Sequence, residues 1–398
     1  MPSHEDASVR LHEKHRGKIE VRSKVRLQDR NDLSAAYTPG VAEPCRRIAA
    51  DPELAYRYTI KSNSVAIVTD GSAVLGLGDI GPLAALPVME GKALLFKAFA
   101  DIDAFPICLD TQDADEIVET VVRLAPVFGG INLEDIRAPR CFDVERRLRQ
   151  TLDIPVFHDD QHGTAIVLLA ALENACKVIG KKSEDLRVVV VGSGAAGIAT
   201  AKLLLGRGME VDHDPLVADV ILCDRKGIVY PGRPGMAVNA DKVEVAEITN
   251  SRQLTGNLAD AMVGADVFIG LAAPGLVTPE MVRSMARDAV VFALSNPVPE
   301  IGYHEALEAG AAVAGTGRSD FPNQVNNVLA FPGVLRGALD ARSRDIDLRM
   351  KLAAVRAIAS CVDDPAPDRV IPDPFDPRVP SAVAEAVRLS ARGSLAPA

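Results

Sequence analysis

Residues 186–191, Leu-Arg-Val-Val-Val-Val, run directly into Gly192-Ser193-Gly194-Ala195-Ala196-Gly197 and then into an apolar stretch, Ile198 to Leu205. A β-branched run of this kind is the mark of a strand buried on both faces of a parallel sheet. The glycine pattern that follows is common by itself; between a buried strand and an apolar helix it reads as a dinucleotide-binding turn. Gly192 makes the tight turn, Gly194 lets backbone approach a pyrophosphate, and Gly197 lets the helix lie close to the strand. Ser193, Ala195 and Ala196 complete the loop, and the phosphates then meet free N–H groups at a helix N-terminus.

Further strand candidates follow at 220–223, 267–269, 290–293 and 311–314, separated by helical segments. That alternation predicts a Rossmann-type, doubly wound parallel sheet over 161–330. Upstream, 65–69, 104–109 and 154–157 read as strands, and 92–99, 113–124 and 164–179 as helices. A single core would be unusual for a chain of 398 residues. Residues 1–160 are therefore expected to form a second α/β domain, completed by a C-terminal helical segment, 331–398. The last six residues, Gly-Ser-Leu-Ala-Pro-Ala, read as a frayed tail. Ligand sites favour the cleft between two such domains.

The next strand ends at Asp224, where an acid should hold the adenosine ribose hydroxyls. The spacing is long: Gly192 to Asp224 is 32 positions, with Met209 to Val217 as a loop that takes up the excess. Arg225 and Lys226 either accept the 2′-phosphate of NADP or face solvent, so NAD and NADP both remain open.

The formal net charge of −10 argues against a nucleic-acid binder, which would need a basic face. Six cysteines without a CxxC pair read as reduced, mostly buried thiols. The charged first thirty residues lack an apolar signal core. The longest apolar stretch, 164–180, is broken by Glu173, Asn174 and Lys177, too short and too polar to span a bilayer. A cytoplasmic protein without membrane or nucleic-acid partners is expected.

Two acidic pairs, Glu134-Asp135 and Asp159-Asp160, sit where an apolar segment ends, as strand-end functional loops do. Carboxylates are hard ligands suited to Mg²⁺ or Mn²⁺. No Cys/His set has zinc spacing. Taken alone, such dipeptides are more often solvated surface. Tyr37 alone would be a packed turn tyrosine, and Lys92 a snorkelling surface lysine.

Six segments taken together carry more. Ala36-Tyr37-Thr38-Pro39-Gly40-Val41-Ala42, then Leu75-Gly76-Leu77-Gly78-Asp79-Ile80-Gly81 with Pro87-Val88-Met89-Glu90-Gly91-Lys92, are followed by Leu133-Glu134-Asp135-Ile136. Phe157-His158-Asp159-Asp160-Gln161-His162-Gly163-Thr164, Ser295-Asn296-Pro297 and Asn326-Asn327 complete the set. In this order the chain resembles the malic enzyme family in its short bacterial form. The resemblance implies oxidative decarboxylation of L-malate to pyruvate and CO2, with NAD or NADP and a divalent cation. It implies Glu134, Asp135 and Asp160 as metal ligands, leaving His158 and His162 outside the ligand set. It implies Lys92 as general base that also contacts substrate, Tyr37 as general acid, and Asp159 as a partner of Lys92. Asn296 and Asn327 would hold the substrate carboxylate on the nicotinamide side. Lys97, one helical turn beyond Lys92, is the structural control. A homodimer is also implied, with segment 8–34 as an interface element.

One departure stands out. Larger relatives carry an arginine just before the Leu-Gly-Leu-Gly-Asp segment, and Gly71-Ser72-Ala73-Val74 has none. The chemistry asks for a lysine whose pKa falls well below about 10.4. Burial beside a cation should do that. Two other activities share these motifs: a malolactic-type or other 2-hydroxy-acid conversion, and a non-catalytic dinucleotide sensor. A sensor has no physical need to keep Tyr37, Lys92 and three carboxylates together.

Overall fold

The computed structural model describes residues 4–74, 76–207, 213–236 and 239–392. Leu75, the first part of the expected loop 209–217 and the expected C-terminal tail lie outside the described residues.

Two sheets form. β1 (Ser64–Thr69), β2 (Asp103–Cys108), β3 (Gly130–Leu133) and β4 (Val156–His158) make a parallel sheet of order β2-β1-β3-β4. β5 (Arg187–Val191), β6 (Asp219–Asp224), β7 (Gly227–Ile228), β8 (Val267–Gly270), β9 (Val290–Ala293) and β10 (Val313–Thr316) make the second, of order β10-β9-β8-β5-β6-β7. Only β7 in it runs antiparallel. This is the doubly wound arrangement the valine run predicts. The order reverses at β5, whose neighbours are β6 and β8, with Val188 in register with Val220 and Val267. β10 starts later than the run 311–314 suggests. Ala311 and Ala312 still close the turn, their amides bonded to Ala306 O and Ala289 O.

Helices of seven residues or more, in chain order, are α1 (His4–His15), α2 (Arg30–Ala36), α3 (Ala42–Ala50), α4 (Gly81–Ala100), α5 (Ala114–Leu124) and α6 (Arg140–Thr151). There follow α7 (Asp159–Ile179), α8 (Ala195–Leu205), α9 (Ala240–Ile248), α10 (Phe331–Ala341), α11 (Leu348–Ser360) and α12 (Arg378–Arg392).

Two of these extend well beyond the expected ranges. α4 begins at Gly81, because Pro82 occupies the first turn, where a missing N–H is no loss. Lys92 is thus mid-helix. α7 begins at Asp159, because the His158 ring accepts from Gln161 N and caps it. Asp159 and Asp160 therefore lie in a helical first turn rather than a loop, where carboxylates suit the dipole. The longer α7, with 21 residues, is long and apolar enough by composition to cross a membrane, which the stretch 164–180 was not expected to be. It instead runs between the two sheets, with 67% of its apolar window buried, and that burial accounts for its composition.

One continuous core joins Val65 and Phe96, through α7, to Val188 and Phe331. α10, α11 and α12 pack on one another, and α10 and α11 close against α4 and α7. Arg149 of α6 makes a bidentate pair with Asp345, at 2.9 and 2.6 Å, tying the first sheet to the loop before α11. The six cysteines are free thiols: four are buried, Cys108 is half-buried and Cys45 is exposed. At the N-terminal end, Lys18 N and Nζ bond Glu90 and the Pro87 carbonyl of α4, and Lys24 pairs with Asp103.

Candidate active site

Lys92 points inward from α4 and is 7% exposed. Its Nζ lies 2.9 Å from Glu134 Oε1, bonds Asp159 Oδ2, and sits 4.0 Å over the Phe331 ring centre. Glu134 follows β3, Asp159 opens α7 and Phe331 opens α10, so three separate stretches converge on the ammonium carried by α4. Asn327 Nδ2 donates to the same Asp159 oxygen, and Asn132 Nδ2 donates to Glu134 Oε2 at 2.9 Å.

Glu134, Asp135 and Asp160 each place an oxygen within 4.8 Å of the other two. Asp135 is held at φ 54°, unusual for a residue with a side chain. From there its amide donates to Asp160 Oδ2 at 2.8 Å. Four carboxylates, counting Asp159, thus face one lysine. Burial pushes Asp135 up to about 9, helped by Asp160 and Glu134. Burial also raises Glu134. Excess negative charge out of water calls for a cation. Three convergent carboxylate oxygens suit Mg²⁺ or Mn²⁺.

The fall in the Lys92 pKa is expected from burial beside a cation; the protein groups by themselves act in both directions. Burial does pull it down, but Asp159 and Glu134 outweigh burial and raise it. The physical reason is the pair of carboxylates in direct contact, which favour the ammonium.

His158 borders the carboxylate cluster, its Nε2 3.9 Å from Asp160 Oδ2. His158 caps α7, and His162 Nε2 is 2.7 Å from the buried Glu145 while its Nδ1 is 3.2 Å from Lys351 Nζ. Lys97 is half exposed and pairs with Asp101 and Asp103. Arg140 fills the region where an arginine is missing from 71–74, but its NH2 is committed to Asp70 at 2.7 Å and Ser72 at 2.9 Å.

The dinucleotide loop sits at the end of β5, where the strand order reverses, the usual position for such ligands. Gly192 has φ +112°, and a Cβ on Gly197 would lie 1.7 Å from Gly192 O. Gly194 precedes α8 with nothing within 4 Å of its Cβ direction, and Ala195 and Ala196 form the first helical turn. Asn296 follows β9 before a cis proline, with its carbonyl 3.4 Å from where Gly76 would carry a Cβ. The glycine loop of the first half and the β9 loop of the second therefore meet.

Asp224 departs from expectation. Its oxygens accept from Lys226 N, Arg233 NH1, Arg233 NH2 and Lys242 Nζ at 2.8, 2.9, 2.5 and 2.9 Å. Ion pairing fills the acceptor positions that ribose hydroxyls would use. Arg225 is exposed.

Tyr37 also stands apart from Lys92. Its side chain is 67% exposed, and no described residue hydrogen-bonds its hydroxyl.

Two family models cover the chain: "Malic enzyme, N-terminal domain" matches residues 16–149, and "Malic enzyme, NAD binding domain" matches 161–388. The chain belongs to the malic enzyme family. It is 58% identical over 388 residues to the bifunctional malic/malolactic enzyme of Bacillus subtilis, covering 97% of this chain and 92% of that one. It is 56% identical over 373 residues to the NAD-dependent malic enzyme of Geobacillus stearothermophilus, covering 93% and 76%. The crystal structure of the NAD-dependent malic enzyme from Thermotoga maritima superposes with a TM-score of 0.91 at 51% identity, covering 96% and 98%.

Three residues around Lys92 and its carboxylates escape sequence reasoning. Phe331 roofs Lys92, an effect of α10 crossing α4 that no local pattern announces. Asn132 points to Glu134 from within β3. Gly163 lies one turn after Asp159: a Cβ there would fall 1.8 Å from Asp159 Oδ1 and 3.3 Å from Asn327 Cβ. Its place in the Asp159-Asp160-Gln161-His162-Gly163 segment was the available signal.

Proposed function

We propose that the chain oxidises and decarboxylates L-malate to pyruvate and CO2, reducing NAD or NADP, with a divalent cation held by Glu134, Asp135 and Asp160. The observation that carries this is the buried contact of Lys92 with Glu134 and Asp159 beside that carboxylate cluster. A bound Mg²⁺ or Mn²⁺ would neutralise the carboxylates and act as a Lewis acid toward the developing enolate. Glu134 engaged by such a cation would leave Asp159 as the main partner of Lys92 and make its ammonium less favoured. Lys92 then takes the C2 hydroxyl proton as hydride leaves for the nicotinamide. Asp159, itself held by Asn327, orients Lys92, and the Phe331 ring keeps water from its open side. Asn296 and Asn327 contact the substrate carboxylate on the nicotinamide side. After CO2 loss, C3 takes a proton from Tyr37, which Lys92 reprotonates.

The loop 192–197 receives the pyrophosphate. Around Asp224 stand Arg225, Lys226, Arg233 and Lys242, an electropositive pocket for the adenosine end. We read the chain as a catalytic domain at 1–160, a Rossmann domain at 161–330 and a C-terminal helical segment at 331–398, working in the cytoplasm as a homodimer. Absorbance of reduced nicotinamide with L-malate and Mn²⁺, using NAD and NADP separately and with chelator as control, tests the proposal. Pyruvate formation that stops on chelation supports it; no reduction with either cofactor sinks it. The bifunctional Bacillus subtilis relative favours a second reading, malate to lactate, checked by assaying lactate in the same mixtures.

A further inference from the structure

Glu300 is 0% exposed, and its carboxylate joins two strand ends of the second sheet. Oε1 accepts from Ala272 N at 2.9 Å, and Oε2 accepts from Ser295 N at 3.0 Å. Ala272 lies just past the end of β8, and Ser295 just past the end of β9. Gly270 makes room for the side chain: a Cβ there would fall 2.4 Å from Glu300 Cδ. Backbone closes the same join, with Gly275 N donating to Pro299 O at 3.1 Å and Val277 N to Glu300 O at 3.0 Å.

A fully buried acid is ordinarily paired with a cation. Among the described residues no Lys, Arg or His bonds Glu300; backbone amides hold it instead. Burial raises its pKa, and the amides of Ala272, Ser295, Glu300 and Leu294 work against that rise. An N–H on each oxygen suits the charged form. The arrangement is thus a negative charge out of water, held by dipoles alone, with no cation of this chain to balance it.

Its place in the fold says what the charge faces. A dinucleotide crosses a doubly wound sheet where the strand order reverses, here at β5, and lies at the carboxyl ends of the strands on either side. With the adenosine end beside Asp224 of β6, the ends of β8 and β9 are left to the nicotinamide half. Those are the two ends that Glu300 joins, and Asn296 is the next residue after Ser295. We infer that Glu300 sets the preference for cofactor oxidation state, favouring the oxidised nicotinamide, whose ring is a cation, over the neutral reduced ring. This rests on the proposed function for the direction of the reaction. Hydride from C2 of malate cancels the ring's positive charge, so the attraction that helps to hold the oxidised cofactor is gone once the reduced product has formed, and release of that product is favoured.

The test is calorimetric titration with Mn²⁺ and without malate. NAD and NADH, and NADP and NADPH, are titrated into wild type, Glu300→Gln and Glu300→Asp. In Glu300→Gln the ratio of the reduced to the oxidised Kd should fall about tenfold, because the two forms differ by one ring charge. Glu300→Asp keeps the charge and should keep the ratio. Equal weakening of both forms in Glu300→Gln overturns the inference, since a purely structural tie between the two loops would act on both alike. The same fall in Glu300→Asp also overturns it. If Glu300→Gln does not fold, wild type decides: oxidised cofactor bound more tightly than reduced supports the inference, and the reverse order overturns it. Failure of wild type to oxidise malate would defeat the functional proposal instead and leave these ratios standing.

Discussion

Lys92 Nζ lies 2.9 Å from Glu134 Oε1, so the proposed base and the proposed cation site share a direct contact. Proton abstraction and cation binding are therefore coupled through one carboxylate. A change at either residue should be felt at the other.

Lys92→Ala should lower turnover by about 10²- to 10⁴-fold while leaving dinucleotide affinity unchanged, because the glycine loop is built on other elements. Steady-state reduction and calorimetric titration of NAD and NADP measure the two effects. The variant also leaves Glu134 and Asp159 buried without their lysine, a loss of about 3–5 kcal/mol. Thermal unfolding should show a lower Tm in chelator that Mn²⁺ partly restores. Turnover within tenfold of wild type would remove Lys92 from the role of base.

Metal-free protein should lose stability as pH rises. Asp135 is pushed up to about 9 from 3.8 by burial and by Asp160 and Glu134, so the folded state binds the proton that the unfolded state releases. Its contribution is complete below pH 3.8 and is lost as pH climbs through about 9. Added Mn²⁺ should accordingly raise Tm more at pH 8.5 than at pH 5.5. Equal shifts at both values would show that the carboxylates are not under electrostatic strain.

Gly163→Ala sets helix propensity against the site. Alanine favours a helix by about 1 kcal/mol. Here its Cβ would fall 1.8 Å from Asp159 Oδ1. Asp159 must move, and with it the partner of Lys92. We expect a loss of about 10²-fold in turnover with far-UV circular dichroism and NAD affinity retained. Unchanged turnover would mean that Asp159 does not orient the lysine.

Lys242→Ala should shift cofactor choice. Lys242 is one of the cations on Asp224, at 2.9 Å, and is the longer reach toward a 2′-phosphate beside the adenosine ribose. Its removal should lower kcat/KM for NADP by about tenfold relative to NAD. Equal losses with both cofactors would place the adenosine end elsewhere.

Much of this was legible before any coordinates. The valine run of β5 and the loop 192–197 announce their own structure, because strand burial and a phosphate turn depend on adjacent residues. Glu134, Asp135, Asp159 and Asp160 could be picked out from their motifs. Other features were not legible. Asp159 and Asp160 read as a loop because the cap that starts α7 is a histidine side chain, a weak signal at such a position. α4 read as shorter because Pro87 and Gly91 look like breakers, yet packing on α10 and the first sheet holds the helix through them. The ion pairs of Asp224 could not be foreseen, since Arg233 and Lys242 reach it from residues that have no fixed relation to it until the chain folds.

The sequence alone determined the strand–turn–helix units, the alternation that makes two sheets, and the identity of the acids, the lysine and the tyrosine. The units and their alternation follow from periodicity, which is written locally; the acids, the lysine and the tyrosine came from the family resemblance that their motifs carry. Only the tertiary structure decided that Lys92, Glu134, Asp159 and Phe331 share one buried point, and that Tyr37 is exposed. Those outcomes depend on distances between residues far apart in the chain and on how much water is excluded around them, which no single segment carries.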